Sequence, residues 1–232
     1  MIVREAPGGI DLITQPDHAR LAGEIMEPCT WLADRPQRAS ILHAIGEHDA
    51  GWADPDAATL DPATGDVADF VHAPVQVRQG AWPRAVALLS RDPYAAALVA
   101  QHALTVYDRY RGDVAWRRFF AEMKAARDAR LALAGTPRQE LETDYAFVRL
   151  GDLISLVFCT GWSDAHRYRE WTVVRAGDRV VVTPDPFAGR RIPIAIAARR
   201  LPSRHFPTNA ALRRALAEAP TTILQGEVAG AR

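Results

Sequence analysis

Cysteine is almost absent from this chain: there are two, Cys29 and Cys159, far apart and in no CxxC-type pattern. That excludes a disulfide framework and a zinc ribbon, and it predicts free thiols in a reducing compartment. Lysine is scarcer still, Lys124 being the one lysine among 28 basic residues. Arginine must therefore serve wherever an anion is bound. No sign of charge is in excess, since 28 acidic residues balance the 28 basic ones. Such a chain has no global field to draw in nucleic acid or an anionic membrane surface. Apolar stretches such as LISLVFC at 153–159 fall far short of the ~20 residues of a membrane span. The N-terminal MIVREAPGGIDL lacks the apolar core of a signal peptide. These absences together predict a cytoplasmic protein. GxSxG, P-loop and GxGxxG motifs are also missing, so serine-hydrolase, NTPase and dinucleotide-binding readings have no support.

What is present is a globular composition: 232 residues, 48% apolar and 24% charged, enough to bury a sizeable core. The segments MIVRE and IDLITQ flank APGG and predict two short strands joined by a turn. A helix opens at Pro16-Asp17 and runs to about Glu27, with Leu21, Ala22 and Ile25 on one face. A second starts near Pro36. Residues 53–74 (ADPDAATLDPATGD and its flanks) read as a long loop, a form often kept for function. Helices are predicted over 75–90, 93–111, 113–134 and 137–158, two of them begun by the cap-then-proline pairs Asp92-Pro93 and Thr136-Pro137. From 170 the period changes to that of strands: WTVVRAGDRVVVTP is a hairpin turning at Ala176-Gly177-Asp178, and RIPIAIAARR alternates. A short helix near 208–218 and the strand TTILQ follow. The expected fold is mainly α, α+β overall: a helical domain over 14–165, with a small β-lobe from 1–13 and 166–232 packed on it.

Several polar residues sit where apolar ones belong. In the helix 137–158, Leu141, Tyr145, Val148, Asp152, Ser155/Leu156 and Cys159 share one stripe, which puts a carboxylate in its middle. Such a burial is costly unless a cation or hydrogen-bond donors meet it. His102 shares a face with Tyr94, Leu98 and Val106. His18 stands one turn before the Leu21/Ala22/Ile25 stripe, and His48 follows Ile41, Leu42 and Ile45. A lone inward histidine is more often a hydrogen-bonded core residue than a ligand, and a lone buried aspartate is often an arginine's partner. A chain of this composition holds about half a His-Asp dipeptide by chance, so the pair His48-Asp49 alone decides nothing. What carries weight is the set: imidazoles and carboxylates on separate helices, all turned inward, are the groups that bind divalent transition metals. His43 lies ~140° around the helix from His48 and is expected to face solvent or a neighbouring helix. His166 is expected near a site mouth, and His205 has no evident partner.

The order His18, His48-Asp49, His72, His102, Asp152, with Gly51 completing HDxG, resembles the H…HD…H…H…D pattern of the HD-domain superfamily. Its members are α-helical metal-dependent phosphohydrolases and phosphodiesterases, with a smaller branch of di-iron oxygenases. The phrases LITQPDHARLAGEI, AIGEHDAGW and DPYAAALVAQH further resemble, over most of the chain, a bacterial family known as a domain of unknown function (DUF, number 3891), which supplies no activity. The first resemblance implies one or two divalent transition metal ions (Fe, Mn or Zn). The first would be held by His18, His48, Asp49 and Asp152. Asp49 would bridge to a second held by His72 and His102, and His48 and Asp49 would be the catalytic pair. Two such cations ~3.5–4 Å apart acidify a water at neutral pH.

The chain departs from that pattern in one place. Many hydrolytic members carry Lys or Arg directly after HDxG, and here Trp52 stands there. A flat apolar side chain suits a less charged substrate, or passes anion binding to Arg78, Arg84 or Arg91. Trp52 and the 53–74 loop are expected to wall the entrance, with Arg78 and Arg84 as substrate-binding residues. The leading expectation is a metal-dependent hydrolase acting on a phosphoester or related small molecule, with no nucleic-acid or membrane partner. The alternatives are a di-iron oxygenase and a non-catalytic domain stabilised by its metal.

Overall fold

The N-terminal residues close a sheet that the C-terminal half builds. The computed structural model describes residues 1–53 and 58–231; positions 54–57 of the predicted 53–74 loop lie outside it. Strands β1 (Ile2–Ala6) and β2 (Gly9–Ile13) form the expected hairpin. β2 then pairs with β6 (Arg191–Leu201), Ile10 opposite Leu201 and Asp11 opposite Arg200. The buried Asp11 carboxylate accepts two hydrogen bonds from the Arg200 guanidinium, at 2.5 and 2.9 Å. The sheet has seven strands in the order β1-β2-β6-β7-β5-β4-β3. The others are β3 (His166–Tyr168), β4 (Trp171–Ala176), β5 (Arg179–Thr183) and β7 (Thr221–Gly230), and only β5–β7 is parallel. The fold is thus α+β. Strand β3 was not expected, because three residues reading His-Arg-Tyr carry no period.

Six helices form the helical part, α1 (Gln15–Met26), α2 (Arg38–Glu47), α3 (Val75–Leu88), α4 (Pro93–Val106), α5 (Arg117–Ala134) and α6 (Arg138–Thr160), and of these α1 and α6 pack on the sheet. A seventh, α7 (Asn209–Glu218), joins β6 to β7. Thr14 caps α1 by accepting from the Asp17 amide at 3.0 Å, and Asp92 caps α4 by accepting from the Ala95 amide at 3.0 Å. Thr136 does not cap α6: Pro137 holds that position, and the Thr136 hydroxyl turns back to the Ala134 carbonyl. The helices predicted over 93–111 and 113–134 each contain a 3-10 turn, at Asp108–Tyr110 and Val114–Trp116.

Helix α4 is buried from Tyr94 to Ala100 and again at Ala103, and α6 is buried on nearly every side beyond Asp144. These two run through the centre, and α1 and α2 close on α6. Gly151 permits that approach, since a Cβ there would meet Ile45 and Met26 side-chain atoms at 2.9 Å. One continuous core joins helices and sheet, with Trp171, Val173, Val182 and Val228 of the strands in contact with the helical cluster. A smaller core gathers Ile10, Leu12, Leu201 and Leu212 beneath α7. Among the described residues no helix is long and apolar enough to cross a membrane. Both cysteines are free and buried.

Candidate metal centre

Four helices deliver the polar residues that interrupt their own apolar faces. α1 supplies His18; the C-terminal end of α2 supplies His48, with Asp49 next; α4 supplies His102 and α6 supplies Asp152. All are buried, His18 and His48 completely. Ligand-type atoms of His18, His48 and Asp49 lie within 4.8 Å of one another, and so do those of His48, His102 and Asp152. The His18 and His48 Nε2 atoms are 3.3 Å apart, and Asp152 Oδ1 stands 3.3 Å from the first and 3.6 Å from the second. Asp49 Oδ2 is 3.8 Å from His18 Nε2 and 3.5 Å from His48 Nε2. His102 Nε2 approaches the other carboxylate oxygen of Asp152, at 3.6 Å.

The residues fit a divalent ion on two counts. Two donors bound ~2.1 Å from one ion are ~3.0 Å apart at a right angle and ~3.4 Å apart at the tetrahedral angle, close to the separations found here. The second count is the direction of the lone pairs. His48 Nδ1 lies 2.7 Å from the Ile45 carbonyl, an acceptor only, so Nδ1 carries the hydrogen. Ser155 donates its one hydroxyl proton to the His18 carbonyl at 2.8 Å, and His18 Nδ1 lies 2.8 Å from the Ser155 hydroxyl oxygen. Nδ1 of His18 must therefore donate to Ser155. With both Nδ1 hydrogens so placed, the two Nε2 atoms face each other at 3.3 Å, an arrangement that calls for a cation or a proton between them.

The electrostatics describe the proton. Burial works against charge on His48, but the Asp49 and Asp152 carboxylates outweigh it and raise its pKa to about 9. Burial drives His102 well below the ordinary histidine value, so it is neutral. Asp49 is pushed up by burial. Burial acts the same way on Asp152, yet the Arg149 guanidinium, then His18 and His48, hold it well below the usual carboxylate range. A divalent ion entering the cluster would displace the His48 proton.

A cavity of about 500 Å³ opens beside the cluster, and Asp49, His102 and Asp152 are part of its wall. Trp52, Trp82 and Tyr107 line it, together with Phe70 and Val71 from the long loop. His166 also reaches it.

Four residues named from the sequence are placed elsewhere. The His72 side chain is 65% exposed, and its Nδ1 is bonded to Asp69 at 2.8 Å; it is in neither cluster. The turn Asp69 makes, accepting from the amides of Val71 and His72, directs that ring outward. Arg78 is buried against Tyr110 and Trp116, its guanidinium carbon 5.4 and 5.3 Å from the two ring centres. Arg84 donates to the Gly51 carbonyl at 3.1 Å. Neither arginine lines the cavity, whose arginines are Arg109 and Arg149. Arg91 is exposed.

Sequence reasoning missed Arg149, and it placed Ser155 on the buried stripe without a role. Both carried a signal: they stand three residues either side of Asp152 on α6, and so flank its face. His43 is half-exposed and bonded to Asp92 at 2.9 Å, and His205 lies 3.5 Å from Asp66, both away from the cluster. Residues 1–203 match the family model described as "Protein of unknown function (DUF3891)". No curated protein and no solved structure matches the chain.

Proposed function

The chain belongs to the DUF3891 family of unknown function, and from the chemistry of its site we propose a metal-dependent hydrolase of HD type acting on a phosphoester or related small molecule. The observation that carries this reading is the convergence of two tautomer-fixed imidazoles and two carboxylates beside an open cavity. One divalent ion would be held by His18, His48, Asp49 and Asp152. When bound it supplies the positive charge that acidifies a water and polarises the scissile group.

The chain's own residues do the rest. Arg149 pins Asp152 from the cavity side, and Ser155 fixes the tautomer of His18. Trp82 packs its ring 5.5 Å from the His102 ring and limits bulk water there. His102 and Asp49 both lie on the cavity wall, and Asp49, whose pKa burial raises, is the better suited of the two to take up the proton that the attacking water releases. In the net step the water oxygen bonds to the electrophilic centre, the ester bond breaks, and its electron pair and a proton leave with the alcohol oxygen. With His72 turned outward, a second ion has lost one of the ligands the six-residue pattern gives it. This favours a one-ion hydrolase over a di-iron oxygenase.

The test is metal analysis of protein purified without chelator, followed by anaerobic assay of 4-nitrophenyl phosphate with Mn, Mg or Fe. About one ion per chain and oxygen-independent release of 4-nitrophenol are expected. Iron with an oxygen-dependent product would support the oxygenase. A bound metal that stabilises the chain without turnover of any ester would support the non-catalytic role. Failure to bind any divalent ion defeats all three.

A further inference from the structure

The walls of the cavity away from the metal cluster carry polar atoms with nothing to bind. Gln15 is 3% exposed and lines the cavity, and its buried Oε1 has no hydrogen-bond partner among the described residues. As the first residue of α1 it precedes His18 by three positions, so the two lie on neighbouring parts of one helix face. The indole Nε1 of Trp52, a residue 3% exposed, and the Nε2 of His166 are also buried, line the same cavity and have no partner among the described residues. Buried indole N–H groups ordinarily find an acceptor, and buried amides are ordinarily paired. These atoms, with the buried Nε1 of Trp82 on the same wall, mark a surface shaped for a molecule with its own donors and acceptors. If the Gln15 amide is turned over, an unpaired donor replaces the unpaired acceptor and the conclusion stands.

The rest of the wall restricts that molecule further. Trp162 stacks on His166 with ring centres 4.9 Å apart and planes inclined by 30°, so the two present flat faces at the mouth. Positive charge is limited. Arg149 is tied to Asp152, and Arg109 lies over the Tyr110 ring at 4.8 Å. A polyphosphate needs several arginines or lysines free to surround it, and the described residues lining the cavity do not supply them.

We infer that the cavity takes a planar heteroaromatic molecule carrying at most one anionic group, its polar edge read by Gln15, Trp52 and His166 and its faces held by the surrounding aromatic rings. This rests on reading the cavity as the substrate site of the proposed hydrolase.

Binding to the intact protein, with and without Mn, separates the two readings because it requires no turnover. The probes are adenosine (a heteroaromatic without charge), nicotinate (a heteroaromatic with one carboxylate), cyclohexanecarboxylate (the charge without the ring) and inorganic tripolyphosphate, each followed by titration calorimetry and thermal shift. At least one heteroaromatic probe is expected to bind at millimolar concentration or below, about tenfold or more tighter than the other two classes. Gln15→Leu should weaken that probe by about tenfold, the loss expected for one hydrogen bond, and leave metal content unchanged. Trp52→Phe keeps a ring and removes the N–H, and it should weaken the same probe if Gln15→Leu fails to fold. The inference is overturned if neither heteroaromatic binds, if tripolyphosphate binds as tightly as the rings, or if both variants leave every affinity unchanged because the orphan atoms hold only water. Heteroaromatic binding by a protein that takes up no metal would sink the hydrolase and spare the cavity assignment. Metal uptake and ester turnover without heteroaromatic binding would do the reverse.

Discussion

At the scale of single residues, Asp49 and Asp152 have different surroundings and are expected to fail differently. Asp49 is raised by burial and is paired with no arginine among the described residues, whereas Asp152 is tied to Arg149. Asp49→Asn removes a ligand charge without emptying space. It should abolish turnover and weaken metal binding by more than the ~100-fold that loss of an outer partner causes, with the far-ultraviolet circular dichroism spectrum retained. Ser155→Ala tests the outer partner itself: freeing the His18 ring should cost about 10–100-fold in metal affinity, measured by competition with a chelating dye. His72→Ala should leave metal content and affinity unchanged, because that ring faces solvent beside Asp69; a loss of metal would return His72 to the site. The contrast explains what was legible. His18, His102 and Asp152 were readable because each breaks an apolar helical stripe. His72 sits in a loop, where no period says which way a side chain points, and only the family pattern nominated it. Arg149 was passed over because an arginine beside a stripe looks like ordinary solvated surface.

At the scale of elements, the helices follow from their apolar period and caps, while the joints between them depend on packing that no local pattern reveals. The turn after His48-Asp49 is an example. Gly51 was notable from the sequence as part of HDxG, and the structure supplies a physical reason. A Cβ there would come within 1.9 Å of the Ala81 carbonyl oxygen and 2.8 Å of the Ala85 amide nitrogen, both backbone atoms of α3. α3 cannot yield as a flexible side chain would, so the Asp49 segment would have to move. Gly51→Ala should therefore destabilise by roughly 1–3 kcal/mol, the usual cost of overpacking, and lower metal affinity as well. Gly46→Ala provides the control. It lies inside α2 with nothing within 4 Å of an added Cβ, and should be neutral or stabilising by about 0.5–1 kcal/mol. Urea unfolding of the two variants beside the parent checks both signs. If Gly51→Ala proves as harmless as Gly46→Ala, the close contact with α3 does not position the site.

At the scale of the whole molecule, the sequence supports a helical part and a β part, since the period changes near 170. The helices, however, share one buried cluster with Trp171, Val173 and Val228 of the sheet. That sharing was invisible because β2 meets β6 across almost the full length of the chain, and hydrophobic period cannot report which strands pair. A shared core predicts that the two parts unfold together. Urea unfolding followed by far-ultraviolet circular dichroism, weighted to the helices, should coincide with the change in Trp171 fluorescence measured against a Trp171→Phe reference. Two separated transitions would show that the parts are independently stable. Metal should act on the same single transition. The proposed ligands come from α1, the end of α2 and α6, and the cluster continues to His102 on α4, so an ion bound there ties together helices far apart in the chain. An ion at a free concentration a hundredfold above its Kd should add about 2.7 kcal/mol to the unfolding free energy. Chelation should remove the same amount, and the two spectroscopic probes should shift by equal increments. A shift confined to one probe, or none at all in a protein that has taken up its metal, would mean that the ion does not hold the helices together and that the cluster does not bind it as described.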